Sequence, residues 1–276
     1  MIAAGGLPLN VRQAGVAGNP VLILLHGFPE SSRAWRKVLR PLGERGLHVL
    51  APDMRGYGES AAPDGVDAYA LDLLVADVLA LADAFGAATF ALAGHDWGGI
   101  VAWAVAARHP ERVRRLVILN APHADTMKRE MRGHPAQLLR SWYVGFFQFP
   151  LVPEKTLSAF RFRALRRSLT QTSRPGAFDA ADIAAYAEEW ARPGRLTAML
   201  NYYRALRLPR APLGRITVPT LILWGMKDRF LGSHLATAAA AMCEDARIVR
   251  FDKDTHWLQH ESPRQIVTEI TAFMNK

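Results

Sequence analysis

Gly94-His95-Asp96-Trp97-Gly98-Gly99 is the stretch that decides how this chain is read. It closes an apolar run, Thr89 to Gly94, and leads directly into a helical run that ends at Pro110. Glycine stands two residues before and two residues after Asp96. A strand that turns straight into a helix needs such small residues, because the two backbones nearly touch. The pattern is that of a nucleophile elbow, G-x-S-x-G, which lifts one side chain above the end of a sheet. Here a carboxylate takes the place of the serine. Asp is also a favoured helix N-cap, but a cap requires neither glycines on both sides nor a Trp between the cap and the Gly pair.

Outward from the elbow, strands and helices alternate. Val21 to Phe28 (VLILLHGF) and Leu47 to Gly58 (LHVLAPDMRGYG) each begin apolar and run into a glycine-bearing turn, as strands buried on both faces do. Tyr69 to Phe85 carries Leu, Val and Ala at helical spacing. Arg114 to Pro122 reads as a fourth strand. From His123 to about Gly214 the pattern changes to aromatics, arginines and helical periodicity. Strand signatures resume at Thr217 to Gly225 and Ala246 to Phe251, and an amphipathic helix runs from Pro263. This order predicts an α/β fold with a mostly parallel sheet covered on both faces. The expected organisation is a core of residues 1–122 and 215–276 with a helical cap, 123–214, inserted between. Ligands of such sheets sit beyond the carboxyl ends of the strands, so the cap would roof the site.

An elbow nucleophile calls for an acid and then a histidine further along the chain. Asp228 follows the strand LILWG by three residues. His256 follows the strand ARIVRF, in the loop DKDTHW. His260 is the rival base, but a place on the following helix suits capping or packing. Asp252 and Asp254 lie too near His256 in sequence to be its partners, and Asp125 is a weaker substitute for Asp228. His26, His48, His95, His109, His123, His134 and His234 read most simply as structural or exposed.

Bulk properties narrow the setting. The 276 residues are half hydrophobic, enough for one sizeable core. No apolar run reaches the ~18 residues of a membrane-spanning helix, and the opening MIAAGGLPLN lacks the pattern of a secretory signal. With one cysteine, Cys243, neither an internal disulfide nor a cysteine-based metal site is open to it. A cytoplasmic protein, monomeric or homodimeric, is expected. Thirty-four basic against 25 acidic residues give a net charge of +9, with arginines clustered between Lys128 and Arg174. The stretch Arg161 to Arg167 (RFRALRR) could grip phosphates. It reads more simply as a solvated helix face with Phe162 and Leu165 turned inward. No nucleic-acid motif accompanies the charge.

His26-Gly27-Phe28-Pro29, Asp53-Met54-Arg55-Gly56-Tyr57-Gly58-Glu59-Ser60 and the elbow together resemble the soluble epoxide hydrolases of the α/β-hydrolase superfamily. The likeness runs over nearly the whole chain. It implies the α/β-hydrolase fold with a helical cap and a cofactor-independent hydrolysis. A carboxylate attacking saturated carbon leaves an alkyl ester that water can cleave, whereas serine would leave an ether. Asp96 needs no base to ionise, its reference pKa being ~3.9. His256 is thus free to activate the water of the second step, with Asp228 orienting the imidazole. The N–H groups of Phe28 and Trp97 would hold the oxyanion.

The resemblance also implies two cap tyrosines that bind the epoxide oxygen. Tyr143 matches the first by its spacing to Gln148 and Pro150. Tyr203 matches the second, with Tyr202 as the neighbour it could be confused with. Trp142, Phe146, Phe147 and Phe149 suggest a small apolar substrate, although they fit a cap core equally. The alternative is a haloalkane or haloacid dehalogenase using the same Asp96, Asp228 and His256. Haloalkane dehalogenases share Trp97 but commonly carry Asn where Phe28 stands. Fluoroacetate dehalogenases place arginines just after the nucleophile, where residues 97–101 here are all uncharged. Thr255 is a further departure, since many relatives have Gly before the histidine.

Overall fold

The computed structural model describes residues 1–276, with the side chain of Lys128 outside the description. Nine strands form two sheets. A small antiparallel pair, β1 (Ile2–Ala4) and β2 (Leu7–Leu9), precedes a seven-stranded sheet. The large sheet contains β3 (Val11–Ala14), β4 (Val21–Leu25), β5 (His48–Pro52), β6 (Phe90–His95), β7 (Val113–Leu119), β8 (Thr220–Gly225) and β9 (Ala246–Phe251). Its order is β3-β5-β4-β6-β7-β8-β9, parallel throughout except for β3, which runs antiparallel to β5. The first three strands have no counterpart in the sequence reading. They are three or four residues long, partly exposed, and too short for alternation to show.

The strands separate their side chains by the two-residue period of the pleat. Ile23, Leu25, Leu50, Leu92, Ile118 and Ile222 enter one core. Leu22, Leu24, Val49, Val117, Leu221 and Leu223 enter the other. Helices α1 (Leu39–Gly43) and α12 (Pro263–Met274) cover the second face through Leu42, Ile266, Ile270 and Phe273. The first face packs on α2 (Leu71–Ala84), α3 (Trp97–Arg108) and α10 (His234–Ala240). A short α11 (Leu258–Glu261) precedes α12.

Between β7 and β8 the chain is helical: α4 (Ala124–Gly133), α5 (Pro135–Arg140), α6 (Trp142–Phe146), α7 (Val152–Thr172), α8 (Ala180–Trp190) and α9 (Arg195–Arg204). Asp125, near the start of this insert, accepts from the Leu213 and Gly214 amides near its end, at 2.7 and 3.0 Å, and pairs with Arg210. Its carboxylate therefore ties the two necks of the insert together, and the structure does not bring it to His256. The stretch 161–167 is less regular than its periodicity suggests. Phe160, Arg161 and Phe162 have positive φ and break α7. Leu165 is buried and Phe162 lies against Trp190, while the arginines 161, 163 and 167 face solvent. No described helix is long and apolar enough to cross a membrane.

Candidate active site

Asp96 sits between the last residue of β6 and the first of α3 with φ 51° and ψ −119°. A non-glycine residue held there costs about 1–3 kcal/mol. The crossing of strand and helix explains the glycines. A methyl group on Gly98 would lie 2.3 Å from the Leu25 carbonyl oxygen, and one on Gly94 would lie 2.3 Å from that of Gly98. Gly27 is constrained by the Asp96 side chain, since a Cβ there would stand 2.4 Å from the Cβ of Asp96.

The amides of Phe28 and Trp97 both point at the Asp96 carboxylate, Phe28 donating to Oδ1 at 3.0 Å. His26 holds this turn in place. Its Nε2 accepts from the Met54 amide at 3.0 Å, so its Nδ1 carries the proton donated to the Gly27 carbonyl. The Asp53–Ser60 stretch has a similar supporting task. Buried Asp53 accepts from the amides of Ser32 and Glu59 and from Asn10, fixing three loops at once.

His256 and Asp228 reach the same point from the carboxyl ends of β9 and β8. His256 Nε2 is 3.6 Å from Asp96 Oδ2, and its Nδ1 is 2.7 Å from Asp228 Oδ2. Asp228 is almost fully enclosed, yet each oxygen is satisfied. Oδ1 accepts from the amides of Phe230 and Leu231 at 2.7 and 2.9 Å, and Oδ2 also accepts from Asn120 at 2.6 Å. Asn120, at the end of β7 with φ 37°, escaped the sequence reading; a polar residue closing an apolar strand was its only signal. Thr255 pins the histidine loop by giving both its amide and its hydroxyl to Glu261, each at 2.7 Å.

Burial would lower the pKa of His256, but the charge of Asp228, its hydrogen bond, and the charge of Asp96 outweigh burial and raise it to about 9. Burial pushes the Asp96 carboxyl up, opposed by His256 and the two amides. A raised histidine pKa adds stability that is complete below the unfolded value near 6.5 and is lost as pH climbs through about 9. Wild-type unfolding free energy should therefore fall between pH 6.5 and 9.5 relative to His256→Gln. Urea titrations across that window check it, and parallel curves for the two proteins would refute it.

Beneath the triad lies a second buried polar cluster that the sequence did not reveal. His95 gives its Nε2 proton to the His256 carbonyl at 2.8 Å, and Gln259 donates to its Nδ1 at 3.2 Å. Burial and the neighbouring His256 lower the pKa of His95 to about 3, so the ring is neutral. Glu30 accepts from Tyr186 at 2.9 Å and from Gln259 at 3.0 Å, and pairs with His260 Nε2 at 2.6 Å. Burial opposes its ionisation, but the charge of His260 prevails and lowers its pKa to about 2. His260 thus serves Glu30 rather than Asp96.

Above Asp96 the insert supplies aromatic rings. Tyr203 packs edge-on to Trp97 and Phe28, with centroids 5.1 and 5.4 Å away, and Tyr143 lies 5.9 Å from Tyr203. Tyr202 turns the other way, and its hydroxyl donates to the Arg55 carbonyl at 2.8 Å. Phe147 touches Phe28, Tyr143 and Tyr203. Phe230, absent from the sequence reading, lies 5.3 Å from His256 and 6.0 Å from Tyr143. Phe146 is half-buried between Phe147 and Trp142. Trp142 and Phe149 do not join this group: they are 67% and 59% exposed. Trp142 sits on the face of α6 that carries no partner but Phe146 among the described aromatic contacts, so the structure does not bring it to Asp96.

Comparison with known proteins places this geometry. The family model for the alpha/beta hydrolase fold matches residues 20–263. The AB hydrolase superfamily protein YfhM of Bacillus subtilis is 40% identical over 276 residues, covering 99% of this chain and 96% of that protein. Epoxide hydrolase 4 of Mus musculus is 37% identical, covering 100% of this chain and 78% of its own length. Among solved structures, an epoxide hydrolase from Bacillus megaterium in complex with an inhibitor superposes with a TM-score of 0.89 at 29% identity, covering 100% and 99% of the two chains. A strained acid at a strand-to-helix turn, a histidine and a second acid at strand ends, and these similarities agree: the chain is a hydrolase of the α/β-hydrolase-fold family, on the branch that holds the epoxide hydrolases.

Proposed function

We propose that this enzyme opens an epoxide with Asp96 and hydrolyses the resulting ester to a vicinal diol. The observation that carries the reading is the pairing of a carboxylate nucleophile with two tyrosines on the opposite wall. Burial and the charge of Asp96 raise the pKa of both Tyr143 and Tyr203, so each hydroxyl keeps its proton. An opened epoxide leaves as an alkoxide on the same molecule, and two hydrogen-bond donors are what that oxygen needs. A halide would need a cradle of N–H donors, and position 28 offers the apolar ring of Phe28.

The proton balance closes. In the resting enzyme Asp96 is an anion and His256 holds a proton. Attack by Asp96 on a ring carbon forms a C–O bond, breaks the other C–O bond, and removes the carboxylate charge. The tyrosines protonate the alkoxide, and the proton of His256 makes up the difference. Neutral His256 then takes a proton from water, and the hydroxide attacks the ester carbonyl with its oxyanion on the amides of Phe28 and Trp97. Collapse releases the diol, restores the Asp96 anion, and leaves His256 protonated as before. Asp228 steadies the imidazolium throughout. The aromatic lining of Phe28, Phe147 and Phe230 suits a small apolar epoxide.

A single turnover in ¹⁸O-water tests the covalent route. The first diol should carry unlabelled oxygen, and the label should enter the Asp96 carboxylate. Label found directly in the first diol would rule out the ester. Release of chloride or fluoride from halogenated substrates, with every epoxide in a panel untouched, would replace this reading with a dehalogenase.

A further inference from the structure

Glu130 and His134 of the insert meet His234 of the core at the seam between α4 and α10. Each offers one ligand atom, and these atoms lie within 4.8 Å of one another. Glu130 and His134 are four residues apart at the end of α4, so both project from one side of it. His234 is the first residue of α10. The two imidazoles stack with centroids 3.9 Å apart and planes at 24°. Arg129 occupies Oε1 of Glu130, while Oε2 lies 3.4 Å from His134 Nδ1. His234 Nε2 is shut off from solvent yet has no hydrogen-bond partner. A buried polar atom left unsatisfied calls for a water or an ion.

We infer that this cluster binds a zinc-class divalent cation which clamps the insert to the core. Two imidazole nitrogens and one carboxylate oxygen form a three-ligand set for such an ion, with water in the fourth position. Half-exposed His134 provides the path in from solvent.

The location gives the clamp a consequence. His234 lies six residues beyond Asp228, and the intervening loop is already stitched to α5. Gln137 accepts from the Gly232 amide and donates to the Phe230 carbonyl, each at 2.8 Å, and Arg140 donates to the Asp228 carbonyl at 3.1 Å. A metal bridge between α4 and α10 would stiffen both the acid loop and the insert's first helices.

Titration of the tag-free full chain with zinc chloride by calorimetry, together with hydrogen exchange, tests the inference. One ion per chain is expected, with slower exchange in residues 130–140 and 228–236. His134→Gln and His234→Gln should each weaken binding by at least about tenfold, whereas His109→Gln should bind like the wild type. The inference is overturned if the wild type takes up no zinc at roughly millimolar concentration, well above the affinity of built zinc sites. It is equally overturned if either variant binds as tightly as the wild type, or if zinc leaves exchange in both segments unchanged. Should His234→Gln fail to fold, His134→Gln decides alone, because that side chain is about half exposed.

Discussion

His256→Gln should form the covalent intermediate and fail to release it. Intact-mass measurement after mixing with an epoxide is expected to show the chain heavier by the whole mass of the substrate, because ring opening expels nothing. A halogenated substrate would instead add its mass less hydrogen halide, so one spectrum separates the two chemistries. Loss of the general base should slow the hydrolytic step by roughly 10²–10⁴. The variant should remain folded, because Asp228 keeps Asn120 and the amides of Phe230 and Leu231 when the imidazole is gone. The strained Asp96 turn and both amides that face it are untouched. Adduct formation will slow somewhat, since the proton that balances the new hydroxyl is held on His256 in the resting enzyme. Turnover at the wild-type rate, or the absence of any adduct from single-turnover mixtures, would remove His256 from the role proposed for it.

The parts of the fold that could be read in the sequence are those where one element carries its whole signal. β4, β6 and β8 are nearly continuous apolar runs because both faces of each are buried, and their bounds, like those of β7 and β9, lie within a few residues of those read. Asp96 was legible because strand and helix touch at Gly94 and Gly98, a constraint that is local in sequence. Edge strands β1 to β3 were not, for they are short and take their pairing from residues about 5 to 40 positions away. The same limit hid Asn120, Phe230 and the Glu30–His260 pair, whose partners lie up to 230 residues distant. Trp142 and Phe147 look alike in sequence, being aromatics in one short run. They differ in structure because α6 turns one outward and the other onto Phe28 and Tyr203.

Replacing Tyr143 and Tyr203 together by Phe should abolish ring opening while leaving the site packed. Phe keeps each ring, so the contacts with Phe28, Trp97 and Phe147 persist and only the hydroxyls go. The insert also holds the two rings in position through the backbone. Gln148 donates to the Tyr203 carbonyl at 2.8 Å, and Arg204 joins the Phe147 and Phe149 carbonyls to Glu154. By analogy with an oxyanion donor, each hydroxyl should contribute roughly 10²–10³ to the rate. Both donors act on one oxygen, so the double variant should lose less than the product of the two single losses. Quenched single-turnover measurements of ester formation give this rate directly, apart from hydrolysis and product release. Tyr202→Phe provides the contrast, because its hydroxyl is committed to the Arg55 carbonyl. It should lose about 1 kcal/mol of stability and open the epoxide as the wild type does. Ring opening at an unchanged rate in the double variant would end the tyrosine assignment, and an equal loss in Tyr202→Phe would show that packing rather than proton donation sets the rate.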